Sequence, residues 1–205
     1  MRTASLLAAI ACVLGSASLL LQGPLPGDVA VTRALQQVLG AAPAWAGWLT
    51  TTAKAPLLWG AIAAAGWLAW RVQGLRGALA VPLAYAFAFG TDQALRAALF
   101  VPRPDAALVA VADPAGSSGL PSTFGLVYGA MLGAALLARG SARQHWPVRW
   151  IAAALLGAGL TARIVLGGHW PSQMIASAAL GLLLALAALY VTTRVAARVA
   201  ALRRV

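Results

Sequence analysis

Six stretches of the chain carry almost no charge and have the length of a membrane crossing, run against a helix that needs about 20 apolar residues to span the hydrocarbon. They cover residues 4–22, 53–70, 77–100, 121–138, 150–168 and 171–191. Between the first two lies a polar-flanked segment in which Val31, Leu35, Val38 and Leu39 fall on one helical face, with Asp28 as a candidate cap. That segment predicts a helix over about 28–40 lying at the membrane interface, followed by Trp45 and Trp48 at headgroup depth. No internal repeat or low-complexity linker interrupts the pattern. The expected fold is therefore all-α, a single membrane domain over 1–205 built as a bundle of six transmembrane helices.

Composition supports a membrane protein: 61% of residues are hydrophobic and 9% charged, against about 25% charged in soluble domains. The net charge is +11, with four aspartates and no glutamate. In a soluble chain this excess would suggest nucleic acid. Here there is no groove pattern of interleaved basic and aromatic residues, and the charge instead reports topology. With the N-terminus inside, the inner segments hold Arg2, Arg71, Arg76, Arg139, Arg143, Arg149, Arg194, Arg198, Arg203 and Arg204, and no acid. The outer segments hold Asp28, Arg33, Lys54, Arg96, Arg103, Asp105, Asp113, Arg163 and His169. Both termini are thus expected in the cytoplasm, in a bacterial inner membrane with the outer segments periplasmic or extracellular. A first span retained in the membrane fits this bias better than a cleaved signal peptide ending near Ser16-Ala17-Ser18. The single Cys12 excludes an internal disulfide, is not expected to be a lipid anchor, and no Cys/His cluster suggests a metal.

Candidate chemistry gathers on the outer side. Ionisable residues at membrane mouths are costly and point to function. Arg163 and His169 lie six residues apart between two apolar spans, Arg103-Pro104 follows another, and Pro121-Ser122 opens a third. Pro121-Ser122 and Pro171 also mark helix starts, whose exposed N–H groups favour anions. Asp92 and Arg96, four apart on one helix face, form a self-neutralising pair. His145 among inner arginines, the tryptophans at 59, 67 and 70, and Asp105 and Asp113 read as surface, belt and loop residues.

Read together, Arg96-x6-Arg103-Pro104, Pro121-Ser122-Thr123-Phe124 and Ala162-Arg163-x5-His169-x3-Gln173 resemble the three motifs of the type-2 phosphatidic acid phosphatase superfamily. Those motifs are Lys-x6-Arg-Pro, Pro-Ser-Gly-His and Ser-Arg-x5-His-x3-Asp, and membrane members of the family have six spans. The resemblance implies a lipid phosphatase with no cofactor and no metal. It implies that Arg96, Arg103, Ser122 and Arg163 hold phosphate and that His169 is the transiently phosphorylated nucleophile. Three motif positions are altered. Phe124 stands where the family has its general acid, Gln173 stands where an aspartate orients the nucleophile, and Ala162 replaces a serine. Loss of a general acid, typically worth about 10² to 10⁴ in rate, favours a substrate whose leaving group needs little protonation. A polyprenyl diphosphate is therefore expected over a phosphatidate. The alternative is a catalytically impaired relative that binds, carries or flips a phosphorylated lipid, or scaffolds a partner. A transporter of soluble anions fits less well, since no paired interrupted spans are present.

Overall fold

The computed structural model describes residues 2–112, 114, 116–138 and 145–202. Asp113, Arg139, Arg143, Arg203 and Arg204 lie outside the described residues. Among those described there are eight helices and no strand: α1 (Arg2–Leu21), α2 (Asp28–Leu39), α3 (Ala44–Thr51), α4 (Leu57–Gln73), α5 (Leu75–Ala98), α6 (Thr123–Leu137), α7 (Trp146–Val165) and α8 (Pro171–Leu202). Each apolar stretch is a helix, with ends displaced by a few residues. α4 starts at 57 rather than 53, which leaves Lys54 in the preceding turn, and α8 runs on to 202 because nothing in the Arg194–Leu202 segment breaks it. The short α3 around Trp45 and Trp48 was not anticipated by the pattern.

Three helices are long and apolar enough to cross a membrane, namely α1, α7 and α8. α6 is apolar but has 15 residues, α4 has 17, and α5 has 24 residues but carries Arg76, Asp92 and Arg96. α6 is the centre of the bundle. Twelve of its residues are buried, and it packs on α8, α5, α7 and α4. The α6–α8 seam is closed by small residues, which let the two backbones approach closely. A Cβ built on Gly129 would lie 2.7 Å from the Ala178 carbonyl oxygen, and one on Gly181 would lie 2.2 Å from that of Leu126. α1 rests on α8, with Leu14 and Leu19 against Val101, Leu120 and Ala176.

α2 is turned opposite to a soluble amphipathic helix. Its polar ridge of Asp28, Thr32 and Gln36 is buried, while Val31 and Val38 are exposed. Asp28 does not cap its own helix, whose N-cap is Gly27. Its carboxylate instead accepts from the Ser172 N–H at 2.9 Å and the Ser172 hydroxyl at 2.6 Å, and so caps α8. A carboxylate there offsets the positive end of the helix dipole. Gln36 donates to the Ala110 and Val165 carbonyls and accepts from the Ala110 N–H. Trp48, Trp59, Trp67 and Trp70 are exposed.

Candidate active site

The end of α5, the start of α6, the end of α7 and the start of α8 meet at one end of the bundle. Arg96 and Thr123 tie the first two together. The Arg96 Nε–H donates to Asp92 at 3.1–3.2 Å, and its other nitrogens donate to the Ser118 carbonyl, the Pro121 carbonyl and the Thr123 hydroxyl. Thr123 in turn donates to Asp92 at 3.0 Å. The sequence-level pairing of Asp92 with Arg96 is therefore present, and its effect is to fix the 118–123 turn. Ser122 is fully buried and caps α6 by accepting from the Gly125 N–H, while its own N–H donates to the Ser177 hydroxyl at 2.8 Å.

α7 stops at Val165 because Gly167 takes a left-handed φ of 63°, a conformation glycine adopts without steric cost. A Cβ at Gly167 would also lie 2.2 Å from the Ala110 carbonyl oxygen, so the loop at 110–111 passes directly over this turn. The turn delivers Gly168 and His169. The Arg163 guanidinium lies against Gly168, where a Cβ would sit 2.9 Å from one of its terminal nitrogens. Arg103 donates to the Gly168 carbonyl at 3.3 Å and to both the carbonyl and the hydroxyl of Ser117 at 2.8 Å. The motif residues Arg103, Arg163 and His169 are thus brought together around Gly168.

His169 is 2% exposed. Its Nδ1 lies 2.8 Å from the Gly119 carbonyl oxygen. A carbonyl can only accept, so Nδ1 carries the proton and Nε2 keeps its lone pair. Gly119 is a partner of the candidate site that the motifs do not include. Its contribution is a backbone atom, and the only trace in the sequence is a glycine in Ser-Ser-Gly-Leu-Pro. Gln173 does not serve as the missing aspartate. It accepts from the Trp170 N–H at 3.1 Å and donates to the Pro102 carbonyl at 2.9 Å, and it packs so close to Gly119 that a Cβ there would lie 2.8 Å from its amide. Phe124 is buried and stacked on Tyr128, with ring centroids 4.1 Å apart, and it wedges against Gly159 of α7. Its side chain belongs to the core.

Burial holds the His169 imidazolium form well below its usual range, and the positive charges of Arg163, Arg103 and Arg96 act in the same direction against the opposing hydrogen bond to Gly119. The ring is therefore neutral at neutral pH. The sign for stability follows: below the unfolded value of about 6.5 the unfolded chain takes up a proton that the native site refuses. This contribution to stability is present above about pH 6.5 and is lost as pH falls from there toward the folded value. In an NMR titration of the histidine ring signals, the His169 midpoint is expected below 6.5 and to move upward in Arg163→Gln. A midpoint at or above 6.5 in the native protein would contradict this electrostatic picture.

A cavity of about 290 Å³ opens beside this cluster, lined by Arg103, Arg163 and Gly168 together with Lys54, Thr50 and Thr51 from the α3–α4 side. Among the described residues no group of three His, Cys, Asp or Glu side chains lies close enough to hold a metal ion.

A family model described as the PAP2 superfamily matches residues 77–196, from α5 into α8 and more than half of the chain. No curated protein and no solved structure matches. Members of the matched family are generally phosphatases acting on phosphorylated substrates. The chain belongs to the PAP2 superfamily.

Proposed function

We propose, from this membership, that the protein is a six-span membrane enzyme that removes the terminal phosphate of a lipid diphosphate at the outer leaflet through a phosphohistidine at His169. In this reading α4, α5 and α6 cross with α1, α7 and α8. The 15 residues of α6 give only about 22 Å, but a helix wrapped by its neighbours need not match the full hydrocarbon thickness. Arg2, Arg71, Arg76, Arg149, Arg194 and Arg198 belong to the helix ends opposite His169. The positive-inside bias then sets both termini in the cytoplasm of a bacterial inner membrane and the site on its outer face.

The observation that carries the reading is the His169 Nδ1 lying 2.8 Å from the Gly119 carbonyl oxygen, because a ring that donates there has Nε2 as its nucleophilic atom, next to the turn that Arg103 and Arg163 hold. Nε2 attacks the terminal phosphorus. The bridging P–O bond breaks, and its electron pair leaves on the oxygen of the lipid monophosphate. Water then attacks the phosphohistidine, the P–N bond returns its pair to Nε2, and orthophosphate departs. Arg103 and Arg163 hold the phosphoryl oxygens as forked donors. Arg96 adds charge while bracing the 118–123 turn, and Ser122 keeps the α6 N-terminus at the site. Thr123 links that turn to Asp92, and Gln173 keeps the 102 and 119 backbones in place.

Phe124 has no proton to give, so the leaving group decides the substrate. The conjugate acid of an alkoxide has a pKa near that of water, about 16, whereas a phosphate monoester has a second pKa of about 6. Purified protein is expected to release phosphate from a polyprenyl diphosphate at least tenfold faster than from phosphatidate, read as orthophosphate per unit time in matched micelles. Faster turnover of phosphatidate would overturn the preference. The 2% exposure of His169 and the buried Phe124 favour one second reading, a relative that binds, carries or flips a phosphorylated lipid or scaffolds a partner without turnover. Its signature is lipid affinity that depends on Arg163 in a protein that releases no phosphate from any lipid.

A further inference from the structure

We propose that Lys54 is the residue that holds the inner, chain-bearing phosphate of a diphosphate substrate and so supplies, from outside the family motifs, the help to the leaving group that Phe124 cannot give. The inference rests on the phosphatase reading for its kinetic part and on the cavity alone for its binding part. Lys54 lines the same cavity as Arg103 and Arg163, from the segment between α3 and α4 rather than from the motifs. It is exposed, in the turn between α3 and α4. Of the other polar residues on that side of the lining, Thr50 and Thr51 donate their hydroxyls to the Gly47 and Trp48 carbonyls. Among the described residues, Lys54 is therefore the charged donor that this segment of the lining has for an anion. A doubly phosphorylated anion in the cavity would have two guanidinium residues and one ammonium residue within a single lining, three cations for two phosphates.

The turn that carries Lys54 is fixed from below on both flanks. On one side Ala46 of α3 is fully buried against Ala162 and Val165 of α7, the helix that ends at the site. On the other, the Thr52 hydroxyl is hydrogen-bonded to the Tyr128 hydroxyl, and Tyr128 is the residue stacked on Phe124. The side chain that displaces the family's general acid thus supports the turn that brings a cation to the cavity. In the transfer step the bridging oxygen takes the electron pair of the broken P–O bond. Lys54 acts there by attraction to the charge gathering on the departing monophosphate, with no proton transfer required.

The test compares inorganic diphosphate with orthophosphate on the purified full chain by calorimetry. Lys54→Met is expected to weaken diphosphate binding about tenfold while changing orthophosphate binding less than threefold, and Lys54→Arg to restore most of the loss. An equal loss for both ions, no loss, or a native protein that binds neither would overturn the proposal. Because Lys54 is exposed, the variant is expected to fold, which the unfolding midpoint checks. In the kinetic arm, Lys54→Met should slow formation of the phosphoenzyme from a lipid diphosphate and leave its hydrolysis unchanged. A native protein that binds diphosphate in a Lys54-dependent way but never traps phosphate on His169 would sink the phosphatase reading and keep the site. Turnover that is indifferent to Lys54 would sink the site and keep the phosphatase. Running the same arm with a long-chain polyprenyl diphosphate and a soluble short-chain one distinguishes a lipid substrate, favoured by the long chain, from a free diphosphate ester.

Discussion

Replacing His169 with alanine is expected to lower phosphate release by a factor on the order of 10³ or more and to abolish trapped phosphoenzyme. The neutral ring is the group here with an available lone pair beside Arg103 and Arg163, and removal of a nucleophile that works with its surroundings as a unit costs most of the catalysis those surroundings provide. Binding should respond differently. The guanidinium groups of Arg103 and Arg163 stay in the cavity wall, and the loss of a buried ring relieves no charge, so diphosphate affinity should change less than threefold. Arg163→Ala should show the reverse emphasis, with affinity falling at least tenfold, because a charge-assisted forked contact is lost. Phosphate release and calorimetry on the same preparations separate these outcomes. If His169→Ala turns over at near the native rate, the imidazole is not the nucleophile, and water must attack directly between the arginines.

The largest effect on stability is expected from the α6–α8 seam. A Cβ on Gly181 would lie 2.2 Å from the Leu126 carbonyl oxygen, 2.8 Å from the Ala130 nitrogen and 3.0 Å from the Gly129 carbonyl carbon. All three are backbone atoms of α6, so no side chain can swing aside, and the two helices must separate. Separation would open the seam on which the starts of α6 and α8 converge at Ser122 and Ser177. Overpacking a core typically costs about 1–3 kcal/mol when side chains can give; against backbone, Gly181→Val should cost about 3 kcal/mol or more. In detergent this should appear as a drop in the thermal unfolding midpoint of several degrees or as failure to accumulate folded protein. Gly157→Ala is the control, since a Cβ there meets nothing within 4 Å. Equal midpoints for the two variants would show that α6 and α8 are not as closely seated as described.

The helices were legible because their apolar runs are long and lack breakers, and the start of α8 at Pro171 and of α6 beside Ser122 followed from residues that favour first turns. The candidate cluster was legible where side chains carry charge: Arg103, Arg163 and His169 do meet around Gly168. What the sequence did not reveal depends on distance across the fold. Lys54 lies over 100 residues from Arg163 in the chain and belongs to a turn fixed by packing of α3 on α7. Asp28 opens a short helix, close to where its position suggested, yet its carboxylate serves α8, 144 residues away. The direction of the α2 ridge was hidden for a related reason. Its apolar positions read equally well as facing a core or facing lipid, and only the bonds from Gln36 and Asp28 decide that the polar side is the one turned inward. Phe124 read as a missing acid, whereas its ring is a wedge between α6 and α7 that nothing in the motif spelling announces.

The acceptor that aims the imidazole has an unusual genetic property. A carbonyl is common to all twenty amino acids, so no codon change at position 119 can delete it, and an alanine scan would report there only the crowding against Gln173 and the Pro102 carbonyl. Drift can erode a carboxylate in one step, but it can reach this atom only by moving the whole peptide. The orientation of the ring is therefore insured against point mutation in a way that a side-chain partner is not, and probing it calls for chemistry on the main chain, such as an ester in place of the amide between Gly119 and Leu120.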